Sequence, residues 1–397
     1  MKKMILCAAS VSMIALATPA LANNSTSTVS QAGTDNIATV DQLASITGSI
    51  SDILQDGLEN MATVTQSDDG DGSTATPTND SSISQTGNYN IATVDQRSEG
   101  FWLVKNTSSI DQSGSSNNAE VTQVDDEQTS SIVQSSDSNT ALVTQGNAAL
   151  QPSDVSYGNS SAVEQSGAGL HEAYVTQLGR RNGSTVLQDG DQDDAFVDQT
   201  GNFNDSSVSQ SGSFAVADVN QSGNENDSSV NQGGTAAYAY VEQVGDRNGS
   251  AVNQYGTSDV AYVWQWGDDN RSYVEQYATS DIAEVFQPGD DNRASIWQHA
   301  NNEYAYIYQY GDGNTGFIHQ DATSSTAGIW EDGNDNNSSI YQAGTSQYAY
   351  NYQGGDGNIS NISQYDSANQ AYVYQYTDNN SSSVTQSGTG QWALVSQ

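Results

Sequence analysis

The chain has 397 residues, a formal net charge of −39 from 9 Lys+Arg against 48 Asp+Glu, and 35% hydrophobic residues. That balance excludes a large Leu-rich globular core, and it excludes nucleic-acid binding, because a phosphate backbone needs a basic face. Composition of this kind normally belongs to a disordered chain, yet this sequence is periodic, which marks a repeat fold.

The first element is a leader. Lys2 and Lys3 form a basic start, Met4 to Ala17 is a short apolar run, and Ala20-Leu21-Ala22 makes a small-residue cleavage site. Residues 1–22 therefore read as a secretory signal peptide, too short for a membrane span. Its removal takes Lys2, Lys3 and the sole cysteine, Cys7, leaving a mature charge of −41 and no disulfide. No second hydrophobic segment spans a bilayer, so an integral membrane protein is not expected.

Residues 23–176 read as irregular repeats with loop insertions. Gln31-Ala-Gly33-Thr-Asp-Asn36-Ile-Ala38-Thr-Val40-Asp-Gln42 is a good unit, and Gln55–Gln66, Gln85–Gln96 and Gln112–Gln123 follow it. The unit Gln134–Gln145 lacks the Gly. Insertions at 67–79, 97–107 and 146–158 are expected to bulge as loops. The segment Gly100-Phe101-Trp102-Leu103-Val104 is the one apolar run among them, suited to cover the stack or to hold a partner.

Residues 177–397 read as a regular 22-residue repeat built of two 11-residue halves. A ladder of Gln recurs every 11 positions from Gln177 to Gln397, interrupted by Glu331 alone. It includes Gln188, Gln210, Gln232, Gln254, Gln276 and Gln298. One half carries an Asn six residues before its Gln, at Asn182, Asn204, Asn226, Asn248, Asn270 and Asn292. The other half carries an Ala four residues before its Gln, from Ala195 to Ala393. Within each half the special residues fall at every second place, which is the period of a strand. Asn, Ser or Ala, Val or Ile, and Gln thus share one face. Between halves stand Gly201, Gly223, Gly245, Gly267, Gly289 and Gly311, read as turn residues where positive φ costs least.

The predicted fold class is all-β: a two-sheet β-solenoid of about 16 strand-turn-strand rungs. Stacked rungs lie about 4.8 Å apart, so the rod would be roughly 75–80 Å long. Gln and Asn amides are expected to bond to their own kind along the stack. Val, Ile and Ala pack dry between the sheets. Glu331, a carboxyl inside a ladder, is expected to stay protonated and keep that ladder bonded. The chain stops at a ladder position, Gln397, so the expected stack has open edges that favour addition of further copies.

Two outward features follow from the spacing. Trp264, Phe286, Tyr308, Trp330, Tyr352 and Tyr374 lie 22 apart and should form an aromatic column, with Tyr240, Tyr262, Tyr306, Tyr350 and Tyr372 beside it. Such a stripe either covers neighbouring backbone or serves as a lateral contact face. Asp246, Asp268, Asp290, Asp312, Asp356 and Asp378 form a carboxylate column in the turns. It reads as a solvated acidic face, or as a weak site for Ca²⁺. The three His (His171, His299, His319) form no recognisable catalytic arrangement, so neither an enzyme nor a cofactor is expected, and His319 reads as a surface substitution.

The pattern Gln-x-Gly-x-x-Asn-x-Ala-x-Val-x-Gln, carried by Gln31-Gly33-Asn36-Ala38-Gln42 and by Gln85-Gly87-Asn90-Ala92-Gln96, resembles the curlin repeat of bacterial curli fibre subunits. The resemblance implies a secreted functional amyloid of a Gram-negative biofilm matrix. The partners it implies are copies of itself, a nucleator subunit and an outer-membrane secretion pore. This chain departs from the familiar subunits in its larger number of repeats and in having Ser27-x-Val29-x-Gln31 soon after the leader. The reading is a structural subunit polymerising end to end. The alternative is a monomeric or surface-tethered adhesin binding through its aromatic columns.

Overall fold

The computed structural model describes residues 14–17, 25–42, 48–68, 79–98, 105–146 and 157–397. Every regular element among these residues is a β-strand, and no helix among them is long and apolar enough to cross a membrane. The chain forms two compact units, residues 1–204 and 205–397. In each, successive strands alternate between two parallel sheets, so one strand from each sheet makes a rung.

In the first unit one sheet begins with Thr26–Thr34, Ile50–Leu58 and Asp80–Asn88 and runs to Gly183–Gln188. The other begins with Ile37–Gln42, Met61–Asp68 and Ile91–Ser98 and runs to Asp194–Asn202. The described residues make seven such rungs. Ile14–Ala17, within the predicted leader, pairs in parallel with Ile37–Val40; the rest of residues 1–22, except those four, lies outside the described residues. So do most of the three predicted insertions, Phe101 and Trp102 included. Register survives the interruptions: Thr129–Gln134 pairs residue for residue with Ser160–Gln165 across the third one.

In the second unit nine rungs stack among the described residues. The strand spacing is 22 residues, as in Val208 over Val230 and Val230 over Val252. This is the two-sheet β-solenoid that the periodicity predicts. Every second side chain points inward, so Val230, Val252, Val274 and Ile296 of one sheet and Val241, Val263, Val285 and Ile307 of the other are at most 1% exposed. Burying each such side chain contributes about 1.5–3 kcal/mol. Ala239, Ala261 and Ala283 are also fully buried.

The turn glycines are needed for a different reason than predicted at half of their sites. Gly201, Gly223 and Gly245 do take positive φ, at 117°, 128° and 119°. Gly267, Gly289 and Gly311 do not; there the constraint is space. A Cβ on Gly267 would lie 2.3 Å from the carbonyl oxygen of Gly289, and one on Gly289 would lie 2.2 Å from that of Gly311. Backbones stacked one rung apart leave no room for a side chain aimed along the stack. The left-handed position falls two residues on, at Arg247 (φ 59°), Asp269 (59°) and Asp291 (57°).

Candidate assembly surface

The surface that a rung offers to its neighbours is set by its glutamines. Period two puts the Gln at the inner end of each strand, where it is cut off from water. In the second unit Gln210, Gln232, Gln254 and Gln276 each donate Nε2–H to Oε1 of the Gln in the following rung at 2.9 Å. Gln298 continues the series to Gln320 at 3.1 Å. In the first unit Gln165 donates to Gln188 Oε1 at 2.9 Å. The same Nε2 also donates to a backbone carbonyl of the other sheet, as in Gln254 to Tyr238 and Gln298 to Ile282, both at 2.9 Å. Each amide therefore ties rung to rung and sheet to sheet. Losing one partner would strand a buried donor, at a cost of about 1–3 kcal/mol.

Donation runs one way. Among the described residues, in ladder pairs of each unit such as Gln31–Gln55 and Gln55–Gln85 in the first and Gln221–Gln243, Gln243–Gln265, Gln342–Gln364 and Gln375–Gln397 in the second, the Nε2 belongs to the earlier rung and the Oε1 to the later one. A rung thus has a donor face and an acceptor face.

The asparagines work differently from the expectation. Among the described residues Oδ1 accepts the backbone N–H of the next Asn, as from Asn204 to Asn182, Asn248 to Asn226, Asn270 to Asn248 and Asn292 to Asn270. The Nδ2 of Asn182, Asn226 and Asn248 donates to the next rung's Gly carbonyl, at Gly201, Gly245 and Gly267. At Asn270 and Asn292 the Nδ2 has no partner. Asn is one methylene shorter than Gln and sits beside the turn, so backbone is what it reaches.

Glu331 also departs from its expected role. It is fully buried, and Gln309 donates to its Oε2 at 2.8 Å, but its Oε1 has no partner. In the next rung Gln353 Oε1 takes the Ser338 hydroxyl instead, at 2.7 Å. The ladder is interrupted there.

The turn carboxylates form a clamp. Asp268 Oδ1 accepts the backbone N–H of Asp246, Asp290 that of Asp268, and Asp312 that of Asp290, at 2.8–2.9 Å. Asp378 accepts from Asp356 in the same way at 3.0 Å. Beside them Arg247 makes a two-bond pair with Asp269, at 2.8 and 2.6 Å, which holds that carboxyl below its usual range.

The predicted aromatic column stands on the outer face of one sheet, in register from Trp264 over Phe286 to Tyr352 over Tyr374. Phe286 and Tyr308 meet edge to face at 6.1 Å, Tyr308 and Trp330 at 5.6 Å. In the second column Gly328 replaces a side chain, and Tyr306 leans over the gap. The result is an open cleft of about 470 Å³ lined by Tyr304, Tyr306, Tyr308, Trp330 and three further tyrosines of the second column and its neighbours, with Tyr374. The opposite face carries aromatics too, among them the Tyr255–Tyr277 and Trp297–Phe317 pairs, of which Tyr255, Tyr277 and Phe317 were passed over in the sequence reading. The 22-residue step from Tyr255 to Tyr277 was the available signal.

The family model of the curlin associated repeat matches residues 179–212, 245–277, 289–321 and 367–388. Comparison with curated proteins found no match.

Proposed function

From the premise that the chain is a curlin-repeat protein, we propose that it is a structural subunit of an extracellular curli-like fibre, adding to copies of itself rung on rung. The one-way donation of the glutamine ladders carries this reading. A face offering Nε2 donors in one copy matches a face offering Oε1 acceptors in the next, at the same places. Contact between unlike faces is head to tail, and it propagates without closing. Parallel strands in register offer the backbone the same match. The secreted destination suggested by residues 1–22 belongs to the proposal. So do export through an outer-membrane pore, a nucleator subunit, and service in a biofilm matrix and in adhesion.

A second reading, a surface-tethered adhesin, draws on the aromatic cleft around Gly328. Electron microscopy separates the two. The full chain, diluted from denaturant to low micromolar concentration, should give unbranched fibres with a reflection near 4.8 Å. Folded particles that stay single at every concentration would overturn the fibre reading and leave the adhesin.

A further inference from the structure

Two of the three histidines in this chain meet at one point. His171 is buried in the first unit; its Nδ1 accepts the Asp193 backbone N–H at 3.2 Å and its Nε2 lies 2.7 Å from the Ser166 carbonyl. His299 and His319 are in the second unit, on the outer face opposite the predicted aromatic column. His299 follows Gln298 directly. His319 lies one rung on, within the strand Thr315–Thr323, and Asp321 follows it on the same outward side. The rung spacing brings the three together: His299 N–H donates to the Gln320 carbonyl at 3.0 Å, and Gln320 stands between His319 and Asp321.

The result is a compact donor set. His299 Nδ1 and His319 Nε2 each lie 3.2 Å from the same oxygen, Asp321 Oδ1. One ligand atom from each residue falls within 4.8 Å of the other two. Tyr341 donates its hydroxyl to the other carboxylate oxygen, Oδ2, at 3.2 Å and so fixes the carboxylate plane. The side chains are 33%, 21% and 37% exposed, which leaves an approach from solvent.

These distances have a chemical meaning. A tetrahedral ion held at about 2.0–2.1 Å sets its ligand atoms roughly 3.3 Å apart. Two nitrogens at 3.2 Å from one carboxylate oxygen already occupy such edges. Two imidazoles with one carboxylate suit Zn²⁺ and its first-row neighbours, whereas Ca²⁺ and Mg²⁺ prefer all-oxygen sets. We propose that His299 Nδ1, His319 Nε2 and Asp321 Oδ1 bind one divalent transition-metal ion, with solvent or an outside donor completing the shell. The ligands come from two rungs, so the ion staples those rungs together. The turn aspartates are a different case, because each carboxylate there is engaged by the backbone of the rung before it.

The probe is Zn²⁺, measured by equilibrium dialysis of the full chain in excess Ca²⁺, which saturates the plain carboxylates. One tightly held equivalent per chain is expected. The double variant H299Y/H319N carries residues that the same columns bear at Tyr277 and Asn253, so its fold is preserved, as circular dichroism will check. Its zinc affinity should fall at least tenfold. Asp321→Ala, matching Ala343 of the next rung, should fall similarly. Cu²⁺ should quench Trp297, whose ring lies 5.5 Å from that of His319, in the parent and not in the double variant. Zinc retained in full by the double variant, or displaced by Ca²⁺, would overturn the proposal and assign the binding to the carboxylate columns.

Discussion

Glu331 holds a glutamine's place with no water to share its charge. Burial pushes its carboxyl up to about 8, from an ordinary value of 4.5. The folded chain therefore keeps that proton where the unfolded chain has lost it. The sign follows: its contribution is complete below about pH 4.5 and is lost as pH rises towards 8. Asn351, in the next rung, adds a buried amide where neighbouring rungs carry Val or Ile, and it donates to Ser338 Oγ at 2.6 Å. Glu331→Gln should remove the charge and supply a donor for Gln353. Urea unfolding should show a gain of about 2–3 kcal/mol at pH 8 and much less at pH 5. An equal gain at both values would mean that ionisation is not the cause. Gly267 gives a steric counterpart. Gly267→Ala should cost about 1–3 kcal/mol, because backbone one rung on must move. Gly249→Ala, whose Cβ meets nothing closer than 3.9 Å, should cost little in the same thermal melt.

At the scale of strands, three carboxyls line up behind one sheet. Asp259, Asp281 and Glu303 precede the strands Val260–Gln265, Ile282–Gln287 and Tyr304–Gln309, and all three are buried. Asp281 N–H donates to Asp259 Oδ1 at 3.2 Å, and Glu303 N–H to Asp281 Oδ1 at 2.9 Å. Glu303 accepts the backbone N–H groups of Ala300 and Ala322, each at 3.0 Å. Burial raises these carboxyls to about 6, 7 and 9 in order. Asp259 adds repulsion at Asp281, and Asp281 and Asp321 add it at Glu303. Raised acids stabilise the fold when protonated, so these strands lose stability as pH climbs from about 4, and the loss is complete near 6 for Asp259, 7 for Asp281 and 9 for Glu303. The unfolding midpoint of the full chain should fall between pH 5 and pH 8, and D259N/D281N/E303Q should flatten that slope. A parent midpoint that does not move with pH would refute the coupling. The sequence alone did not point to this column. An Asp next to a turn looks like a solvated turn residue, and only the strand register turns it inward. The Asn column was legible as inward because its neighbours Ser206 and Val208 alternate with it, but its backbone partners were not, since they belong to turns whose shape the pattern leaves open.

Across the molecule the same contrast holds. Strand number, spacing and the buried Val, Ile, Ala and Gln were readable because each repeats, and repetition averages away local exceptions. What departs from the repeat was harder to see. His299, His319 and Asp321 are unremarkable one by one, and become a cluster only when 22 residues are wound into one rung. The cleft at Gly328 arises in the same way, from the loss of one ring in a column.

The glutamine ladders have one further consequence. Backbone dipoles of neighbouring residues in a strand point to opposite sides and largely cancel. The side-chain amides do not, because all of them along a stack point the same way. Each peptide-like group carries about 3.5 D, so aligned amides sum rung by rung. Every unit accordingly has an electrical polarity along its stacking direction. A suspension of such stacks should turn to follow an applied field as a compass needle follows north, and the sense of the turn would tell one end from the other.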